Sequence, residues 1–199
     1  MYEASIPFTI AQPRPSPHPF GQVPCLVDNT QTNTHDGIVL FESGAILLHL
    51  YKEHSATSPT PAEYASALSW VMWANACLDG ICFKENENGQ VTGTSLDRPN
   101  KRIDVLEAML AKNDYILGGD QLTVADVAVA SYLNYVPLFN RNVNLSKIPN
   151  IVKYMKRTAE RAHFGEAFGE GHQQLVVTSC DEWLSGGGTG GGFKTPKLF

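Results

Sequence analysis

Two short stretches carry residue types that can hold a small peptide. The first is His18-Pro19-Phe20-Gly21-Gln22-Val23-Pro24-Cys25-Leu26-Val27-Asp28, and the second is Leu40-Phe41-Glu42-Ser43-Gly44-Ala45-Ile46-Leu47. The apolar run from Val23 to Val27 stops at Asp28-Asn29, which predicts a short strand with Pro24 at its first position or edge. The tertiary amide before Pro24 makes a cis bond accessible, and a cis turn ahead of a strand leaves the N–H and C=O of Val23 free to pair with another peptide. Beyond Glu42-Ser43, the residues Ile46, Leu47, Leu50 and Tyr51 recur at helical spacing, so Ser43 stands at a helix start. Unpaired N–H donors and a positive dipole end there suit a carboxylate. Either piece alone reads as a turn proline or a capped helix. Both places are chemically useful for binding a small peptide.

The elements that must position these residues follow from the breakers. Residues 13–19 hold four prolines in seven positions, so they predict an irregular extended connection. Ala56-Thr57-Ser58-Pro59-Thr60-Pro61 is the best domain linker, because it separates strand-type patterning from a run of helices; Thr60 caps and Pro61 opens the next helix. That helix carries Leu68, Val71, Met72, Asn75, Ala76 and Leu78, with Trp70 and Trp73 adding aromatic bulk. Further helices are predicted at about 98–112, 123–138 and 149–161, with a short one near 163–169, and residues 86–97 read as a polar loop. The glycine-rich stretch after Ser185 predicts a flexible tail over 185–199. Thr123 and Asp126 form a capping box in which Asp replaces the more usual Glu, with Leu122 and Val127 placed as a hydrophobic staple. They are structural rather than catalytic, since a cap turns its side chains back to the backbone.

Composition excludes several classes. At 199 residues and 43% hydrophobic the chain can bury a full core in one or two domains. A net charge of -5 gives no electrostatic footprint for nucleic acid. No apolar run is long enough to span a bilayer, and Met1-Tyr2-Glu3 lacks the form of a signal peptide. Cys25, Cys77, Cys82 and Cys180 show neither metal spacing nor a disulfide framework, and no metal is expected. A reduced, cytoplasmic, soluble protein without a membrane partner is the default expectation.

The two opening stretches resemble the glutathione site of the glutathione transferase family, and the Thr123-x-x-Asp126 segment resembles the capped core helix of that family's helical domain. The resemblance implies an α/β plus all-α fold. A thioredoxin-like, glutathione-binding domain over 1–55 is followed by a linker at 56–61 and an all-helical domain over 62–184. It also implies glutathione as co-substrate, bound by Gln22, Val23, Pro24, Glu42 and Ser43, with Val23 pairing with the cysteinyl part and Glu42 and Ser43 at the γ-glutamyl end. Arg14 and His18 are candidates for the glycyl carboxylate, against the alternative of a solvated loop. Trp70, Trp73 and Asn75 fall where the family places the pocket for a small electrophile, although an aromatic stripe is more often plain core or dimer contact. Cys25 reads as a buried strand residue rather than a nucleophile. A homodimer is expected.

The chain also departs from the family pattern. Only seventeen residues precede His18, whereas the family places a strand, a helix and a second strand ahead of this segment. Residues 6–11, from Ile6 to Ala11, read as the second strand, with the first strand and helix missing. That missing piece normally brings the Tyr, Ser or Cys that stabilises the glutathione thiolate, so the catalytic residue is unknown and truncation of a longer protein is the favoured explanation. The resulting function is a detoxifying transferase that conjugates glutathione to small electrophiles if the catalytic segment is supplied. The alternative is a non-catalytic binding or assembly module of the elongation factor gamma type, and a third reading is a Cys-type redox member.

Overall fold

A computed structural model of the chain describes residues 3, 5–11, 15–30, 37–55 and 57–186. These residues group into two compact units, Met1–Gly80 with Asn113–Tyr132 and Ile81–Lys112 with Leu133–Phe199. Arg14, Tyr2 and nearly all of the glycine-rich tail lie outside the described residues.

In the first unit, strand β1 (Cys25–Asp28) pairs antiparallel with β2 (Ile38–Phe41), in the register Cys25↔Phe41 through Asp28↔Ile38. Among the described residues this sheet has two strands. The expectation of a further strand at Ile6 to Ala11 is corrected: these residues are irregular, and Ile10 is 82% exposed. A β-strand needs a ladder partner for its backbone groups, and none of the described residues supplies one.

Helix α1 (Ser43–His54) follows β2 after the single residue Glu42. Helix α2 (Pro61–Trp73) begins with a full capping box: the Glu63 N–H donates to Thr60 Oγ1, and Glu63 Oε2 accepts from the Thr60 N–H at 2.8 Å. Proline stands in its first turn, as the Thr60-Pro61 pair predicts. A π-helical turn, Ala74–Leu78, then leads into the short α3 (Asp79–Cys82). Gly44 lets α1 approach α2, since a β-carbon there would lie 2.9 Å from Asn75 Nδ2 and 3.1 Å from Val71 Cγ1. Tyr51 and Tyr64 stack with ring centroids 6.4 Å apart. Ala67, Val71, Ala74, Leu78, Ala125 and Val129 are fully buried in this unit.

The second unit contains a small hairpin, β3 (Lys84–Glu85) and β4 (Val91–Gly93), where sequence predicts only a polar loop. Its turn is held by Asn86, whose Oδ1 accepts the N–H groups of Asn88 and Gln90, and by Gly89 at φ 72°. Helices α4 (Lys101–Leu110), α6 (Pro149–Ala159) and α7 (Ala162–Phe168) fall close to the predicted spans, and α5 (Val124–Phe139) does the same. Helix α8 (Glu170–Leu184) is not among the predicted helices. It buries Val176, Cys180 and Trp183 along one face, and Trp183 Nε1–H donates to the Val143 carbonyl at 3.0 Å. On α6, Ile151, Val152, Tyr154, Met155, Thr158 and Ala159 are buried, the spacing of a core-facing helix stripe. Among the described residues no helix is long and apolar enough to cross a membrane.

Candidate functional site

The antiparallel register sets the geometry of the site. Cys25 faces Phe41 at the last rung of the ladder, with Pro24 just before that rung and Glu42 just after it in the chain. The loop before β1 and the start of α1 therefore leave the sheet at the same end. The peptide bond between Val23 and Pro24 is cis. Val23 is 91% exposed, and its N–H and C=O have no partner among the described residues. Gln22 and Pro24 are exposed beside it.

Across from this turn, Glu42 has φ 67° and ψ 120°, a conformation L-residues rarely adopt. Such a backbone costs roughly 1–3 kcal/mol and persists where the surroundings impose it. Its carbonyl accepts the first helical bond, from the Ile46 N–H at 3.0 Å, but its side chain caps nothing, and the first turn of α1 holds no acidic residue. Among the described residues, the leading N–H groups of α1 are thus left without a side-chain acceptor at the positive end of a 12-residue helix. Ser43 Oγ accepts a long hydrogen bond from Asn75 Nδ2 at 3.5 Å, and Asn75 Oδ1 accepts from the Tyr132 hydroxyl at 3.3 Å. Asn75 lies within the π-helical turn; such turns often mark functional positions. Sequence reasoning offered Asn75, with Trp70 and Trp73, as a candidate for the electrophile pocket and not as a neighbour of Ser43.

The remaining predicted residues have these surroundings. His18 is buried: its Nδ1 accepts the Phe20 N–H at 3.0 Å, and its ring lies 5.1 Å from that of Phe41. That is a turn-forming role, with Nδ1 already engaged. Trp70 and Trp73 are half-buried and meet edge to face with centroids 5.3 Å apart. Thr123 and Asp126 do more than cap α5. Asp126 Oδ2 accepts both the N–H and the hydroxyl of Thr123 at 2.8 Å, while Oδ1 accepts the Ile116 N–H at 2.7 Å, so the fully buried carboxylate also fixes the preceding loop. Cys25 is half-buried; burial, followed by the neighbouring Asp181 charge, pushes the Cys180 thiol up to about 12.

One cluster was missed by sequence reasoning. Asp28, at the end of β1, receives His49 Nε2 at 2.7 Å and His54 Nε2 at 2.9 Å on the same oxygen, Oδ2. Its other oxygen accepts the Thr30 N–H at 2.9 Å and the Thr30 hydroxyl at 2.6 Å. Burial pushes this carboxyl up, but the Thr30 hydroxyl, the two imidazoles and the Thr30 amide together hold it well below the usual carboxylate range.

Comparisons with known proteins agree with this architecture. The C-terminal domain of the glutathione S-transferases matches residues 71–162. A glutathione S-transferase domain-containing protein of Dictyostelium discoideum is 30% identical over 160 residues, covering 72% of this chain and 59% of its own length. The chain therefore spans about three fifths of that relative. The glutathione S-transferase GstB of Escherichia coli is 28% identical over 157 residues, covering 72% of each chain. Among solved structures, a glutathione transferase homolog from Lodderomyces elongisporus, holding two glutathione molecules per subunit, superposes with a TM-score of 0.55 at 22% identity. That superposition covers 81% of this chain and 77% of that one. FzlA from C. crescentus gives a TM-score of 0.58 at 20% identity, over 75% and 71% of the two chains.

Proposed function

Because the chain belongs to the glutathione transferase family, with that family's α/β plus all-helical fold, we propose that it binds glutathione at the paired ends of β1 and β2 and serves transfer of the glutathione sulfur to a small electrophile. The observation that supports this reading is that the antiparallel pair brings the chain just before β1, with the exposed cis Val23-Pro24 unit, and the chain just after β2, with the uncapped start of α1, to the same end of the sheet. The cysteinyl unit of glutathione, an extended peptide, pairs with Val23 as an added strand would. Its γ-glutamyl carboxylate sits on the first-turn N–H groups of α1 and the Ser43 hydroxyl. Glu42 beside them faces the γ-glutamyl ammonium. The electrophile lies against Trp70 and Trp73, whose faces are half-exposed on α2. The thiolate-stabilising side chain is not assigned to any residue of this chain.

A homodimer belongs to the same proposal. Leu68 and Met72 are 38% and 54% exposed on one stripe of α2, an apolar surface that a second copy would cover. Isothermal titration of the chain tests the ligand. Glutathione is expected to bind with one site per chain, whereas cysteinylglycine, which lacks the γ-glutamyl carboxylate, is expected to bind far more weakly. Equal binding of both would contradict the role given to α1. Sedimentation equilibrium of the same sample, read against the expected dimer mass, tests the assembly.

A further inference from the structure

We propose that Asp28, His49 and His54 form a binding site for a divalent transition metal of the zinc type, apart from the glutathione seat. The three side chains present one carboxylate oxygen and two imidazole nitrogens whose atoms all lie within 4.8 Å of one another. Nitrogen and carboxylate oxygen are the donors that zinc selects, and three protein ligands with a fourth position open to water is one of its common arrangements.

The surroundings are those of a built first shell. Thr30 holds Asp28 Oδ1 with two donors, its N–H at 2.9 Å and its hydroxyl at 2.6 Å. That fixes the carboxylate plane and leaves Oδ2 for the ion, the supporting role that outer hydrogen bonds play around bound metals. Both imidazoles aim the same atom, Nε2, at that one oxygen. Two neutral rings can do this only by spending both N–H groups on a single oxygen, whereas around an ion the same two atoms turn lone pairs inward. The observed separations of 2.7 and 2.9 Å are shorter than the roughly 3.3 Å edge of a tetrahedron with 2.0–2.1 Å bonds. Each ring therefore moves outward by about half an ångström on loading. The rings have that freedom, since their side chains are 14% and 17% exposed while Asp28 is 5% exposed, which also leaves a way in for the ion.

Occupancy would tie the end of β1 to the middle and last residue of α1, the helix that begins at Ser43. The site's first role is thus a staple between the hairpin and this helix, and it stands whether or not glutathione is the ligand at the other end.

The test uses the full chain without an affinity tag, stripped with a chelator and titrated with zinc by calorimetry and with cobalt(II) by visible absorption. One equivalent of zinc is expected, with a cobalt spectrum of tetrahedral intensity and nitrogen and oxygen ligands. His49→Gln and His54→Gln are each expected to weaken binding by more than tenfold, and Thr30→Val by about tenfold through its outer hydrogen bond. His163→Ala, at an exposed histidine bonded to Glu166, should leave affinity unchanged. Should the histidine variants fail to fold, zinc protection of His49 and His54 from diethylpyrocarbonate in the wild-type chain, mapped by mass spectrometry, gives the same answer. No saturable binding, binding that survives both glutamine substitutions, or modification of the two histidines that zinc does not slow would each overturn the proposal, leaving a hydrogen-bonded triad.

Discussion

Helices α1 and α6 begin with the same physical problem and solve it from opposite directions. At the start of α6, Glu107 of α4 accepts the Asn150 N–H at 2.9 Å, the Asn150 side-chain amide at 2.6 Å and the Ile151 N–H at 2.8 Å. A carboxylate from within the chain thus fills the positive end of the helix. At the start of α1 the described residues supply no such group: Glu42 is turned into an unusual backbone conformation, its side chain caps nothing, and no acid stands in the first turn. What α6 obtains from Glu107, α1 leaves for a carboxylate from outside. The lesson is that an open helix end is informative only beside closed ones in the same molecule, such as those of α2 and α4, because it shows what the chain builds where it wants stability alone.

The largest test of the closed ends is at α5. Asp126→Ala removes a fully buried carboxylate that satisfies three donors and is expected to cost about 3 kcal/mol of stability, since the stranded donors lose charge-assisted bonds. Thr123→Ala, which leaves the Ile116 bond in place, is expected to cost about 1 kcal/mol. Equal effects in urea melts would mean that Asp126 is a cap and nothing more. At α6, Glu107→Ala is expected to cost about 2 kcal/mol; a neutral result there would remove the contrast on which the reading of α1 rests.

The open end predicts smaller changes of different sign. Glu42→Gly relieves the backbone at φ 67° and is expected to stabilise the chain by about 1 kcal/mol. Glutathione affinity is expected to fall, as a carboxylate beside the γ-glutamyl ammonium is lost. Ala45→Glu places an acid in the first turn of α1, where it is expected to add about 0.5 kcal/mol while weakening glutathione through repulsion of its carboxylate. Thermal melts and calorimetry on each variant separate the two effects, and a variant in which stability and affinity rise together would break the comparison.

The legible parts were those written in local chemistry. Pro24 before an apolar run, Thr60-Pro61-x-Glu63, and Thr123-x-x-Asp126 each fix an element by neighbours within a few residues, and those elements lie where the sequence reading puts them. The hairpin at 84–93 was readable too, because Asn86 and Gly89 are turn residues at hairpin spacing, but the polarity of the stretch masked it. Helix α8 was harder. Gly169 breaks the pattern before it, Gly171 stands in its first turn, and its Val, Thr and Ser residues are poor helix formers, so packing of Val176, Cys180 and Trp183 decides it. Two features lay beyond reach for a stronger reason. Asp28 meets His49 and His54 across 21 and 26 residues, and Asn75 meets Ser43 across 32; such pairings depend on register and helix rotation, which no local pattern specifies. The strand expected at Ile6 to Ala11 failed because an apolar stretch predicts a strand only where another strand is present to pair with it.

The central claim, that Val23 and the start of α1 hold one glutathione between them, is tested most directly by following backbone amides in a nitrogen-15 NMR titration of the intact chain with glutathione. The account predicts that the Val23, Ser43, Gly44 and Ala45 amides shift together along a single saturation curve, while those of Asn150 and Ile151, already occupied by Glu107, stay in place. Saturable binding that moves other amides and leaves Val23 and Ser43 unmoved, or no saturable shift at all, would contradict it.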